Sequence, residues 1–459
     1  MNAIAYAEQS PETQAPSPTQ PHPPRQYLRP RYVEHFRCIG PACEDTCCQG
    51  WSVPVDQATY EKYISIDTMQ PHLGTVIVPN TGPQNGDFAR ISTSTTAACF
   101  FLDEERLCTI QKQLGPEFLS ATCATYPRSI AKISGQEERS LNLSCPEAAR
   151  LTLLDSDLLG DGAWPANNPE RYATILQDAV RLAAGELPAY DPLLATREFA
   201  LLLLTDRRHP LWQRLLLLGT VVQQLQTLSE GSPAATFAAE HPDIIAQLLS
   251  DSARFVSQDT VGAVMDQIQI QPDEQLPRIL ELLRLRVSQQ PIAPRLLECI
   301  QEFEKGLGCT TPITEAQLLA TFSEAYRSYF RPLIEQHPHL LENYLANYVF
   351  KNNYPFGKQA GNKFTDNKSA DQSTPETEIN ANDQHLLLCA QLAMLQTVLI
   401  GMAAHHREAF DATHAIKLVQ SLAKTVEHSQ PFLRQITTFV AERNLNSLRG
   451  VALLLKPNA

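Results

Sequence analysis

The segment CIGPACEDTCC, Cys38 to Cys48, constrains this chain more than any other stretch. Four thiols stand there at C-x4-C-x3-C-C spacing, and the set continues as C-x8-C at Cys99 and Cys108, then Cys123 and Cys145. Eight of the eleven cysteines therefore fall in one region, while Cys299, Cys309 and Cys389 are scattered through the rest of the 459 residues. Soft thiolates select zinc, copper(I) or iron–sulfur clusters. A tetrahedral zinc site commonly draws its four ligands from two close pairs. Here a close pair occurs once and the remaining ligands come from afar, which suits zinc and a four-thiolate iron–sulfur cluster alike. Eight thiols fill two sites, or one site with several left over. Neighbouring Cys47 and Cys48 point in different directions in most backbone conformations, which argues against both binding one ion. Free cysteines also pack as small hydrophobes; that is the reading for Cys299, Cys309 and Cys389, each alone in helical sequence.

The compartment bears on this choice. MNAIAYAEQS has neither a basic start nor an apolar run, so no secretory signal is read, and the chain is expected to be cytoplasmic, with reduced thiols. Clustered cysteines in such a protein point to metal or catalysis. The net charge of −13 argues against a nucleic-acid partner. Leu386–Ala404 is the nearest approach to a membrane span, but Gln391 and Gln396 interrupt it and His405 and His406 follow. A span needs about 20 mostly apolar residues, so a buried helix is expected. No transmembrane span is read, and peripheral membrane association remains compatible with the sequence.

Along the chain, residues 1–26 carry six prolines among polar residues and are read as a disordered tail. Residues 27–154 read as a cysteine-rich metal-binding module with short strands. Asp56 is the expected N-cap of a helix carrying Tyr60, Tyr63 and Ile64. Thr75–Val78 is β-prone, and a Gly/Pro/Asn loop is expected from there to Phe88. Pro116 is expected to open a helix leading to Cys123. Cys145 is placed at the N-cap of the helix CPEAARLTLL, where the helix terminus favours a thiolate. Residues 155–459 read as a large all-helical domain, its leucines recurring at three- and four-residue spacings. Pro210, Pro242, Pro277 and Pro294 punctuate the helices, and 357–383 reads as a flexible polar insertion. The fold class is mainly α.

Other candidates carry less chemistry. Asp103, Glu104 and Glu105 suit a ligand-orienting or cation-binding role, or a solvated turn. Glu44 and Asp45 suit attraction of a lysine side chain, or an exposed acidic loop. Arg128 suits a carboxylate or the thiolate charge. The pairs His337/His339 and His405/His406 read as surface or helix-end histidines. There is no G-x-G-x-x-G after a strand, no P-loop and no G-x-S-x-G elbow. The cysteine spacing also differs from C-x3-C-x2-C, and the strand–helix alternation of a barrel is missing.

The stretches RYVEHFRCIGPACEDTCCQGW, CFFLDEERLCTIQKQLGPEFLSATCATYPRS and LNLSCPEAARL resemble the flagellin lysine-N-methylase (FliB) family. ENYLANYVFKNNYPFG, Glu342–Gly357, is similar to that family's C-terminal signature. The first part of the pattern also resembles the smaller YkgJ-type zinc- or iron-chelating cysteine cluster. Both resemblances imply metal at Cys38, Cys43, Cys47 or Cys48, Cys99, Cys108 and Cys123, to which the spacing adds Cys145. The methylase resemblance implies methyl transfer from S-adenosylmethionine to surface lysines of a protein substrate, flagellin, with an iron–sulfur centre, 4Fe–4S before zinc. No catalytic or S-adenosylmethionine-binding residue is legible in it. A non-enzymatic metal-binding or redox-sensing protein is the contrasting expectation.

Overall fold

A helix apolar on every side belongs inside a fold. The run at Leu386 does so, within a helix Ala381–His406. Among the described residues this is the one helix long and apolar enough to cross a membrane, and 94% of its apolar window is buried within the protein. Two of its glutamines are answered internally: Gln391 accepts from the Tyr344 hydroxyl at 3.3 Å and Gln384 from Tyr348 at 3.4 Å. Around this core helix pack Leu211–Leu228, Pro272–Val287, Pro294–Gly306, Glu315–Ala325, Ala412–Val426 and Leu448–Leu455. The structure is a computed structural model describing residues 30–49, 52–84, 86–93, 98–159, 169–187, 189–258, 260–287, 292–357, 380–426 and 430–457. The Pro-rich tail and most of the 357–383 segment lie outside them. The end of that segment is not insertion: Asn380 accepts the Asp383 amide at 2.8 Å, and this cap starts the core helix.

The Pro294–Gly306 helix crosses the core helix closely. A Cβ added at Gly306 would lie 2.0 Å from the Gly401 carbonyl oxygen, and one at Gly401 would lie 2.2 Å from the Phe303 ring. Gly306→Ala is therefore expected to destabilise by about 1–3 kcal/mol in thermal unfolding, as overpacking does. Gly86→Ala, with nothing within 4 Å, is the matched control and is expected to leave the midpoint in place. Pro242 and Pro294 open helices and Pro210 caps one. Pro277 instead lies inside Pro272–Val287. It is tolerated there because it is exposed near the helix start, where the carbonyl it leaves free, that of exposed Asp273, reaches water.

The amino-terminal part holds two small antiparallel sheets. β1 (Val53–Val55), β2 (Ile77–Gln84) and β3 (Asp87–Ile91) align in the order β1-β3-β2, with Ile91 opposite both Val53 and Ile77. β2 occupies most of the stretch expected as loop. It is an edge strand whose register shifts after Pro79, and edges and bulges are where a strand accepts proline. Asp56 caps Gln57–Ile64 as expected, accepting from the Thr59 amide. Pro116 opens only a 3₁₀ turn, Pro116–Phe118; Ser120 then caps a separate helix, Ala121–Thr125, which carries Cys123. β4 (Arg128–Ile133) and β5 (Gln136–Leu141) form a hairpin turning through Ser134 and Gly135, both at positive φ. Such a two-residue turn matches the twist of the strands it joins.

The apolar cores do not divide at residue 154. Val53, Val55, Tyr63, Met69, Ile77, Ala89, Ile91, Cys99, Phe101 and Ile110 form a small core of their own. Tyr32, Val33, Phe36, Ile133, Leu141 and Ala148 belong to the main helical core. The helix His339–Lys351 makes this join. Asn343 donates to the carbonyls of Thr152 and Asp155 at 2.8 and 2.6 Å, Asn347 to that of Leu141 at 3.1 Å, and Asn353 just beyond the helix to that of Lys132 at 3.1 Å. Tyr32 donates to Asn347 and Lys351 to Asn142, each at 2.6 Å. The polar residues of ENYLANYVFKNNY thus satisfy backbone groups that would otherwise be buried unpaired.

Candidate functional site

The eight thiols of the amino-terminal part lie near enough to feel one another's charge, and backbone hydrogen bonds help to place them. The Cys99 amide donates to the Cys48 carbonyl at 2.7 Å, joining the first cysteine loop to the second. Cys99 and Cys108 bracket a tight loop closed by Thr109 N–H to the Phe101 carbonyl at 2.8 Å. Cys123 is held alongside because the carboxylate of Asp56 accepts the Ala121 amide at 2.8 Å. Cys48, Cys108 and Cys123 line the small core and Cys99 is part of it; Cys145 belongs to the main core.

Two groups emerge from the electrostatics. Cys99, Cys108 and Cys123 all titrate upward through burial, and Cys123, pushed up to about 12, also feels Cys108, Cys99 and Cys47. Cys43 is raised by burial and by Glu44, Cys47 and Cys38. Cys47 belongs to both groups and is itself raised, first by its hydrogen bond with Cys48. These neighbouring thiols meet rather than diverge, because the Thr46 hydroxyl accepts the Cys48 amide at 3.2 Å and curls the backbone between them. Cys145 does stand at the N-cap of Pro146–Leu154, but burial outweighs its backbone donors and its thiol is pushed up to about 12. The helix terminus alone does not ionise it.

All eleven cysteines are free thiols. Eight soft donors fit a thiophilic centre in kind. Among the described residues, however, no group of three or more His, Cys, Asp or Glu side chains stands close enough to hold an ion.

The remaining candidates separate. Asp103 and Glu105 pair with the chain's own Lys112 at 2.7 and 2.8 Å, and Asp103 also accepts the Leu107 amide. Glu44 pairs with Arg150. Arg128 stacks over Phe36 at 5.2 Å and donates to its carbonyl, so it serves the fold rather than a thiolate. His339 opens a helix and His406 ends one, pairing with Glu302 at 3.1 Å. Cys299 and Cys389 are fully buried, whereas Cys309 is exposed, because it follows the end of the Pro294–Gly306 helix and the turn carries it outward.

Asp45 does bind a lysine, but an internal one. Lys424, on the Ala412–Val426 helix, lies 2.8 and 2.9 Å from its two oxygens. Gln420, one turn earlier, donates to Asp45 at 2.8 Å and to the Ser144 carbonyl at 2.9 Å. The Tyr126 hydroxyl and the Ser144 hydroxyl stand 3.0 Å apart at the same seam. No local signal marks Gln420 or Lys424, which belong to an ordinary amphipathic helix.

A second group, also without a sequence signal, lies in the bundle core. His385 Nδ1 is 2.8 Å from the Tyr354 hydroxyl and its Nε2 is 3.4 Å from Cys389 Sγ, and all three residues are at most 1% exposed. Burial lowers His385 from 6.5 to about 4, which keeps it neutral. The unfolded chain then binds the extra proton below pH 6.5, so stability is full above that pH and declines as pH falls toward 4. The loss amounts to about 3 kcal/mol. His385→Gln is expected to flatten this part of the profile in urea titrations from pH 7 to pH 4.

A family description, the FliB lysine N-methylase C-terminal domain, matches residues 197–454. The chain is 37% identical over 132 residues to a lysine-N-methylase of Salmonella choleraesuis strain SC-B67, covering 28% of this chain and 33% of that one. It is 36% identical over 137 residues to the flagellar biosynthetic protein FliU of Salmonella muenchen, covering 29% of this chain and 80% of that one. A lysine-N-methylase of Salmonella typhimurium strain LT2 matches at 36% over 132 residues, again 28% of this chain and 33% of that one. The matched region thus spans about a third of the length of both lysine-N-methylases. No solved structure matches.

Proposed function

Since this chain belongs to the FliB lysine N-methylase family, we propose that it methylates the side-chain amine of lysine in a protein substrate, with flagellin as the substrate and S-adenosylmethionine as the donor. The observation that carries this reading is the family match across 197–454, more than half of the chain. In the transfer the lysine nitrogen, having lost a proton, bonds to the donor's methyl carbon while the carbon–sulfur bond breaks and the sulfonium becomes a neutral thioether. The protein's part is to hold the amine, orient it and keep water away.

We assign the thiol face a metal centre, drawn from Cys38, Cys43, Cys47, Cys48, Cys99, Cys108, Cys123 and Cys145. An iron–sulfur cluster held there would provide an electron-transfer centre, and zinc a structural clamp. The YkgJ likeness enters only through this assignment. We place the reaction in the cytoplasm, where thiols stay reduced.

The test is anaerobic purification with metal and acid-labile sulfide analysis, followed by mass spectrometry of flagellin incubated with the protein and S-adenosylmethionine. Methylated lysines on flagellin are expected. Metal-loaded protein that neither binds the donor nor modifies flagellin would make the chain a metal-binding or redox-sensing protein instead.

A further inference from the structure

Asp45 lies between Cys43 and Cys47, yet its carboxylate is answered from the far end of the chain. An ammonium carries three N–H donors. Lys424 finds three acceptors here: both Asp45 oxygens, at 2.8 and 2.9 Å, and the Thr46 carbonyl at 3.4 Å. The cradle is built for a lysine-type cation.

Two observations set it apart from a surface ion pair. The side chains of Lys424 and Asp45 retain 18% and 16% exposure, so the pair stands at the solvent edge of the seam between the cysteine loop and the helix bundle. Behind it, Gln420 is fully buried; its amide nitrogen serves Asp45 and Ser144, and its Oε1 has no partner among the described residues. A buried acceptor left unpaired is unfavourable. An N–H donor that reached that oxygen would relieve it.

We propose that Asp45 and Gln420 recognise the ammonium of the substrate lysine, and that Lys424 is an internal stand-in which the substrate lysine displaces. This rests on the lysine methylation proposed above and adds to it a recognition element and a built-in brake. While Lys424 fills the cradle, the competent fraction is small, and the apparent affinity for substrate is reduced by that fraction. The pair also accounts for an acidic residue amid thiols, where a bare carboxylate would oppose thiolate formation.

The test uses the whole protein with flagellin as the probe. Lys424 is labelled by an amine-acetylating reagent and its peptide followed by mass spectrometry, with and without saturating flagellin. Labelling is expected to rise about fivefold with flagellin, since the displaced ammonium becomes exposed. Lys424→Met is expected to lower KM for flagellin about fivefold or more by emptying the cradle, and Lys424→Arg, still a cation, much less. Asp45→Asn is expected to raise KM about tenfold or more. Flagellin that is methylated while Lys424 labelling stays level, with KM unchanged or raised in Lys424→Met, overturns the stand-in alone. Flagellin that is not methylated by the unaltered protein overturns the methylase reading beneath it.

Discussion

Anaerobically purified protein carrying Cys43→Ala or Cys99→Ala is expected to lose its metal and its methyl transfer together, while Cys389→Ala keeps its full metal content. Cys43 and Cys99 represent the two groups of thiols in the amino-terminal part, whereas Cys389 lies in the bundle core beside His385. Removing a ligand is expected to weaken metal affinity by more than the roughly 10–100-fold that outer-shell changes cost. Metal binding is also folding free energy, so the melting of the small core should move with metal content in the first two variants. In Cys389→Ala any loss is that of a buried side chain in the helical core, without a change in the visible spectrum. Equal metal loss in all three variants would defeat the ligand assignment.

The second large effect is expected at Glu138, on β5. Its carboxylate receives Arg197 of the Pro192–Thr205 helix through two contacts, one of them Nη2 to Oε1 at 2.9 Å. The two side chains are 4% and 1% exposed, and the guanidinium stacks over Phe350 at 5.0 Å. Glu138→Ala removes the carboxylate that faces a buried cation, and breaking such a pair costs about 3–5 kcal/mol. Replacing both partners together, as Glu138→Leu with Arg197→Met, is expected to cost much less, because no charge is then left unanswered. Urea unfolding of the two singles and the double separates these outcomes. A Glu138→Ala variant that unfolds at the same urea concentration as the parent would show that the pair is dispensable.

Much of the fold was legible because its causes are local. The all-round apolar run at Leu386 demanded an interior, and Asp56 and Cys145 stand at helix starts for reasons written within a few residues of each. The β2 edge strand was not legible, since a bulge and an edge position make Pro79 acceptable in ways that composition does not show. The meeting of Cys47 with Cys48 depended on a single hydroxyl, that of Thr46. At the site, the cysteines announced themselves by density and Asp45 by its charge among them. Gln420 and Lys424 carry no mark of their own, because their role exists only once two segments 375 and 379 residues apart are brought together. The signature segment was visible as a pattern, but its reason, the pairing of buried carbonyls, resides in the partner it covers.

That distance along the chain also sets an order of events during synthesis. The ribosome makes the cysteine loop early, and the amide and amine that seat Asp45 emerge only when nearly the whole described chain has been translated. Until then the cysteine loop lacks the contacts that Gln420 and Lys424 make to Asp45. A chain truncated before the Ala412–Val426 helix would present a cysteine loop with no seat for Asp45. Synthesis of the Ala412–Val426 helix is thus a condition for the final seating of Asp45.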